Sequence, residues 1–231
     1  TAVVVMALHR TGNPDYTEAI ERGAEWVIGM QGRHGGWGAF DADNEYYWLQ
    51  NIPFADHGAL LDPATADVSA RCISMLGQLG YARTYPAMRR GLTYLRDQQE
   101  EDGSWFGRWG TNYIYGTWSA LSAFNGAGED MEADHIRRAV IYLEKCQQKD
   151  GGWGEDCATY WPNERGKVNA STPSHTAWAL LALMAVGKVD SEAVRRGIEF
   201  LLAAPRDGAK WDEKHFNAPG FPRVFYLRYH G

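Results

Sequence analysis

The sequence predicts an all-α fold: an incomplete α/α toroid in which buried inner helices alternate with amphipathic outer ones. Three observations carry this. A Gln-x-x-x-Gly-x-Trp motif recurs along the chain, an arginine–aromatic register precedes each copy, and nearly all-apolar segments lie between the copies. A repeating unit of this kind cannot cover its own apolar face and must stack on its neighbours.

The first inner segment runs from Thr1 through Ala2-Val-Val-Val-Met-Ala-Leu8 to Gly12. The first outer helix carries Arg22, Gly23 and Trp26 and ends in the turn Gln31-Gly-Arg-His-Gly35-Gly-Trp37. Ser69 to Gly80 gives the second inner helix; Arg90, Gly91 and Tyr94 mark the second outer one, ending at Gln99-Glu-Glu-Asp-Gly103-Ser-Trp105. Thr117 to Gly128 and then Arg138, Ala139 and Tyr142 repeat the pair before Gln147-Gln-Lys-Asp-Gly151-Gly-Trp153. Thr176 to Gly187 is the fourth inner helix, with Thr172-Pro173 as N-cap and first-turn proline. Arg196, Gly197 and Phe200 lead to a degenerate turn that keeps Trp211 but lacks the glutamine. Each arginine stands fifteen residues before its tryptophan, and each inner helix starts eleven before a glycine. These spacings describe helices closed by glycine turns. A fifth inner helix is expected to begin near Phe221. Residues 1–231 are expected to form one partial α/α-barrel domain; an open helical solenoid is the alternative on periodicity alone. Between Gly38 and Ala64 the pattern breaks for 27 residues, and so long a loop points to function.

Composition narrows the classes. With 45% hydrophobic and 23% charged residues the chain is neither collagen-like nor disordered. A net charge of −6 without a basic block argues against nucleic acid. Cys72, Cys146 and Cys157 form no Cys-x-x-Cys pair and leave one odd, so no disulfide framework is expected. The longest apolar run, Ala177 to Val186, is too short to span a bilayer. Asp41, Asp43 and Asn44 suggest a magnesium–diphosphate site, but no second acidic cluster accompanies them. Asp156, Cys157 and His175 lack zinc spacing. No metal site is therefore expected. The apolar start at Thr1 and the aromatic-rich end after Phe221 read as an internal fragment.

The stretches Gly35-Gly-Trp-Gly-Ala-Phe-Asp-Ala-Asp-Asn44, Leu61-Asp-Pro-Ala-Thr-Ala-Asp-Val-Ser-Ala-Arg71, Asp102-Gly-Ser-Trp-Phe-Gly-Arg-Trp-Gly110, Gly151-Gly-Trp-Gly-Glu-Asp-Cys157 and Gly220-Phe-Pro-Arg-Val-Phe-Tyr226 resemble the squalene–hopene cyclases of the terpene cyclase/prenyltransferase α-barrel superfamily. The resemblance covers essentially the whole chain. It implies proton-initiated cyclisation of squalene to hopene or hopanol without metal or organic cofactor. It also implies that the acid, in an Asp-x-Asp-Asp motif, precedes Thr1-Ala2, leaving this polypeptide inactive alone. Asp67 and Arg71 match the acid's supporting pair; arginine replaces the histidine of some relatives and can polarise but not shuttle a proton. Phe40, Phe54, Trp109, Tyr115, Phe221, Phe225 and Tyr229 match the aromatic lining, whose ring faces stabilise migrating cations. Gln31, Trp37, Gln99, Trp105, Gln147, Trp153 and Trp211 match the structural repeat. Squalene is the implied partner. The resemblance further implies a homodimer at full length and peripheral, monotopic attachment to the cytoplasmic side of a bacterial inner membrane. A cyclase for oxidosqualene or another polyprenyl chain, or a non-catalytic helical interaction module, are the alternatives.

Overall fold

The computed structural model describes residues 1–53, 60–165, 170–213 and 215–227. Among them are eight α-helices: α1 Ala2–Arg10, α2 Thr17–Gly29, α3 Ala66–Gln78, α4 Pro86–Asp97, α5 Tyr113–Gly126, α6 Asp134–Cys146, α7 Pro173–Ala185 and α8 Glu192–Ala203. Two antiparallel hairpins follow, β1 Arg206–Asp207 with β2 Lys210–Trp211, and β3 Ala218–Phe221 with β4 Phe225–Leu227. The chain divides into two compact units, Thr1–Gln98 with Ala123–Asp130, and Gln99–Ser122 with Met131–Gly231.

In the first unit α1 packs on α2 and α3, and α3 on α4. Ile73, Met75, Leu76, Met88 and Leu95 are fully buried there, with Trp37 among them. In the second unit α7 packs on α8 and touches α6, around Ile136, Leu143, Leu183, Trp105 and Trp153. The four inner–outer pairs of the sequence reading are all present. The inner class is less uniformly buried than its composition suggests. On α1 only Ala2 and Val5 are buried, and Val3 and Val4 are exposed, because α2 and α3 cover one side of it.

The repeated motif forms one device, three times over. Gln31 Nε2 donates to the carbonyls of Gly35 (2.7 Å) and Ala87 (2.9 Å), and Arg90 donates to Gln31 Oε1. Gln99 binds Gly103 and His135 in the same way and receives Arg138; Gln147 binds Gly151 and Ala193 and receives Arg196. The glutamine thus closes its own turn and fastens it to the start of the next outer helix. Gly35, Gly103 and Gly151 sit at φ of 91°, 95° and 89°. A Cβ on each would stand 2.6 Å from the carbonyl oxygen of Arg90, Arg138 or Arg196, so both the left-handed conformation and the close approach require glycine. The indole Nε1 of Trp37, Trp153 and Trp211 donates to the carbonyl ten residues earlier, at Val27, Leu143 and Leu201. The backbone N–H of Trp37, Trp105 and Trp153 donates to the hydroxyl of Ser69, Thr117 or Thr176 on the following inner helix. Thr172 caps α7 as expected, accepting from the His175 amide, with Pro173 in the first turn.

The inner helix expected near Phe221 is instead the β3–β4 hairpin, with Pro219 opposite Tyr226 and Phe221 opposite Phe225. Pro222 disfavours helical geometry at Phe221, and Arg223 adopts a left-handed φ of 69°, so the chain reverses rather than winding.

Two glycines with similar positive φ separate conformational strain from collision. Gly128→Ala, at φ 69° in open space, is expected to cost about 1 kcal/mol. Gly151→Ala, which adds the clash with the Arg196 carbonyl, should cost at least about 3 kcal/mol, read from urea midpoints.

Candidate functional site

The second unit contains a cavity of about 510 Å³. Its apolar wall is Trp109, Tyr115, Pro173, Ala177, Trp178 and Leu181, with Trp211 and Ala218 beside them; Ser174, Lys210, Glu213 and Asn217 supply the polar part. Two rings of the wall, Tyr115 and Trp178, cluster with Trp118, which does not line the cavity. Tyr115 meets Trp178 edge-on at 5.0 Å, and Trp178 stacks with Trp118 at 6.1 Å and 13°. Tyr115 and Trp118 are three apart on α5, and His175 and Trp178 three apart on α7, so each pair shares a helix face.

Trp109 reaches the cavity on a six-residue turn, Gly107–Asn112, whose backbone is heavily anchored. Tyr160 Oη lies 2.7 Å from the Gly107 carbonyl and 3.1 Å from that of Gly110. The Thr111 N–H donates to Asn217 O, and the Asn112 and Ile114 N–H groups donate to Glu155 Oε2 at 3.3 and 2.7 Å. His175 Nε2 is 2.6 Å from Thr111 O, and its Nδ1 is 2.6 Å from Thr172 Oγ1. A carbonyl can only accept, so Nε2 carries the proton and Nδ1 accepts from the threonine hydroxyl. Gly110 lies flush on the Tyr115 ring, where a Cβ would come within 2.5 Å. The turn therefore sets the orientation of Tyr115 as well as Trp109.

Two buried titratable groups hold this arrangement. Burial pushes the Glu155 carboxyl up to about 7, opposed by the amides of Ile114, Asn112 and Tyr113. Burial pushes His175 down to about 4, so its imidazole is neutral near pH 7. Glu155 also borders a second, polar cavity of about 670 Å³ that contains Glu101, Asp102, Lys145 and Arg165.

The expected site residues fall in different places. In the first unit Asp67 is buried in the first turn of α3, accepting from Thr65 Oγ1 (2.6 Å) and the Val68 amide. Arg71 is half-buried one turn on. Phe40 is 71% exposed. It lies in a loop organised by Asp62, whose carboxylate accepts the amides of Ala39, Phe40 and Asp41. In the second unit Trp109 and Tyr115 share the cavity. Phe221 and Phe225 pair edge to face at 5.4 Å, and the Arg108 guanidinium lies over both Trp109 (4.4 Å) and Phe221 (5.5 Å). Phe54 and Tyr229 lie outside the described residues. Of the repeat tryptophans, Trp37, Trp105 and Trp153 are buried, whereas Trp211 keeps its indole hydrogen bond and also borders the cavity. Sequence reasoning missed Trp118, Trp178, Glu155 and the buried role of His175; the i, i+3 pairing with Tyr115 and with Trp178 was the available signal. Among the described residues no cluster of three or more His, Cys, Asp or Glu could hold a metal, and no helix is long and apolar enough to cross a membrane.

Helix pairs with aromatic side chains gathered on the inner helices define a terpene-cyclase α/α fold. The solved type II terpene cyclase MstE from Scytonema shares it, with a TM-score of 0.63 at 22% identity over 90% of this chain and 55% of that one. The chain belongs to the squalene–hopene cyclase C-terminal domain family, which it matches over residues 1–231. It is 55% identical, over its whole length, to the squalene–hopene cyclase of Bradyrhizobium diazoefficiens and to the probable squalene–hopene cyclase of Sinorhizobium fredii. It spans 36% and 37% of those two proteins respectively.

The two buried groups act oppositely on stability. The lowered His175 contributes stability present above its ordinary 6.5 and lost as pH falls toward about 4. The raised Glu155 contributes stability present below its ordinary 4.5 and lost as pH rises toward about 7. As pH rises, Glu155→Gln should therefore gain stability relative to the parent chain between pH 4.5 and about 7, and His175→Gln should lose it between about pH 4 and 6.5. Each change should be of order 3 kcal/mol in urea unfolding, since one pKa unit is worth 1.36 kcal/mol; parallel curves for the two variants would refute the assignment.

Proposed function

We propose that this chain is part of a triterpene cyclase that converts squalene to hopene or hopanol. The observation that carries the reading is the family match over residues 1–231, joined to a cavity walled by Trp109, Tyr115 and Trp178. Squalene offers no polar handle, so the reaction begins when a carboxylic acid protonates its terminal alkene and a tertiary carbocation forms. Successive C–C bonds then form as each alkene attacks the cation, until a proton is lost or water is captured. A wall for that sequence must stabilise positive charge without bonding to it, and aromatic faces do so at roughly 0.5–2 kcal/mol each.

In this reading the acid lies outside the 231 residues, and Asp67 with Arg71 supports it. A buried carboxylate at a helix N-terminus is stabilised by the helix dipole. Arg71, permanently charged, would stabilise the conjugate base left when the acid gives up its proton. Phe40, Phe54, Phe221, Phe225 and Tyr229 complete the proposed lining, with Trp109 and Tyr115 as the members supported by a shared cavity. The apolar substrate partitions into bilayers, which supports peripheral attachment to a membrane; the cytoplasmic face of a bacterial inner membrane and a homodimer at full length belong to the same proposal.

The test is incubation of the full-length protein with squalene and chromatography of the hydrocarbon products. Polycyclic product is expected from the full-length protein and none from the 231-residue chain alone. An absence of cyclised product from the full-length protein overturns the reading. Asp67→Asn should lower kcat by about two orders of magnitude, roughly 2.7 kcal/mol of barrier, with KM little changed. Tyr115→Leu should cost up to about thirty-fold in kcat, the equivalent of one cation–π contact of about 2 kcal/mol.

A further inference from the structure

The turn bearing Trp109 is fastened from behind by side chains that do not line the cavity. Tyr160 is 4% exposed and His175 fully buried. The Tyr160 hydroxyl bridges the carbonyls of Gly107 and Gly110, on either side of Trp109. His175 donates to Thr111, two residues beyond Trp109, and presents its ring edge-on to Trp178 at 5.2 Å. We propose that His175 and Tyr160 are positioning residues of the cyclase: together they fix where Trp109, Tyr115 and Trp178 stand in the cavity, and so which carbocation along the reaction is stabilised. The inference rests on the cyclase reading above.

The chemistry of the latch is directional. His175 needs Nδ1 to accept from Thr172 and Nε2 to donate to Thr111 at once, which only this neutral tautomer does. A second proton would leave Nδ1 as a donor facing a hydroxyl that must then turn away. The neutral ring imposed by burial agrees with that geometry. Tyr160 has one proton for two carbonyls, so it ties the two glycines of the turn to one point. Both attachments act on the backbone, and the aromatic side chains inherit their positions from it.

Three variants separate positioning from bulk stability. His175→Phe keeps a ring against Trp178 but removes both hydrogen bonds. His175→Gln restores an N–H near the place of Nε2. Tyr160→Phe removes one hydroxyl and keeps the ring. In the full-length protein acting on squalene, His175→Phe and Tyr160→Phe should lower kcat about ten-fold with KM changed less than about two-fold. The share of incompletely cyclised products should rise in both, and His175→Gln should recover most of the loss. In the same full-length protein, the near-ultraviolet circular dichroism assigned to Trp109 by Trp109→Phe should vanish in His175→Phe and return in His175→Gln. Variants with parental kcat per folded molecule and parental product ratios, even with lower melting temperatures, overturn the proposal. If the parent full-length protein forms no cyclised product, the cyclase reading falls, and unchanged near-ultraviolet spectra would then overturn the latch separately. Should His175→Phe fail to fold, Tyr160→Phe decides by the same measurements.

Discussion

The structure depends on how a short turn after each outer helix is closed against the next outer helix. A helix end leaves carbonyls without intrahelical partners, and a tight turn adds more. Gln31, Gln99 and Gln147 answer both needs with one amide group: its two N–H donors go to two carbonyls, one local and one on the neighbouring helix. The amide oxygen takes an arginine from that same helix. Each bond contributes only about 1 kcal/mol net, but the three share one side chain, and losing it would leave several polar groups unpaired together. Glycine at the turn is the necessary counterpart. Any Cβ there would push the arginine carbonyl away and open the clamp.

That clamp also determines where chemistry can be placed. The tryptophan that ends each turn donates its backbone N–H to a hydroxyl on the following inner helix, so both ends of the intervening connection are pinned. Between those pins the chain length is free to vary. After Trp37 the connection runs through the long loop gathered by Asp62; after Trp105 it shrinks to the turn bearing Trp109. Rigid repeats with variable connections between them are a general arrangement for carrying functional side chains.

Much of this was legible because the repeat is written in residue identities as well as hydropathy. Gln, Gly, Trp and Arg at fixed offsets each do a job that no similar residue does, so the four helix pairs and the cap at Thr172 could be read directly. The hairpin at Ala218–Leu227 could not. Its apolar residues satisfy a helical period, and only Pro222 and the left-handed Arg223 mark the reversal. The shell behind the cavity was hidden for a different reason. Glu155 and His175 act on backbone amides and carbonyls more than forty residues away, and backbone groups leave no trace in sequence. Phe40 was singled out by its motif alone, and the position of its ring, largely exposed within its own unit, could not be read from that motif.

The charged groups near the rings of Trp109 and Trp178 differ, which bears on the role proposed for each. A ring's attraction for a cation comes from a quadrupole, and a cation already on one face weakens what the ring can offer at the other. Arg108 lies 4.4 Å over Trp109, so that indole is partly committed within the protein. Trp178 instead meets neutral neighbours: Tyr115, Trp118 and the neutral imidazole of His175. Placing an imidazolium at that position would set a positive charge against the back of the wall, where no water could screen it. Burial keeps the ring neutral and the glutamate behind the turn turned away toward its amides. In the proposed reading, Trp178 therefore offers a migrating cation a ring less committed within the protein than that of Trp109, whose sequence motif is the more conspicuous, while Lys210 and Glu213 add full charges of opposite sign to the same lining.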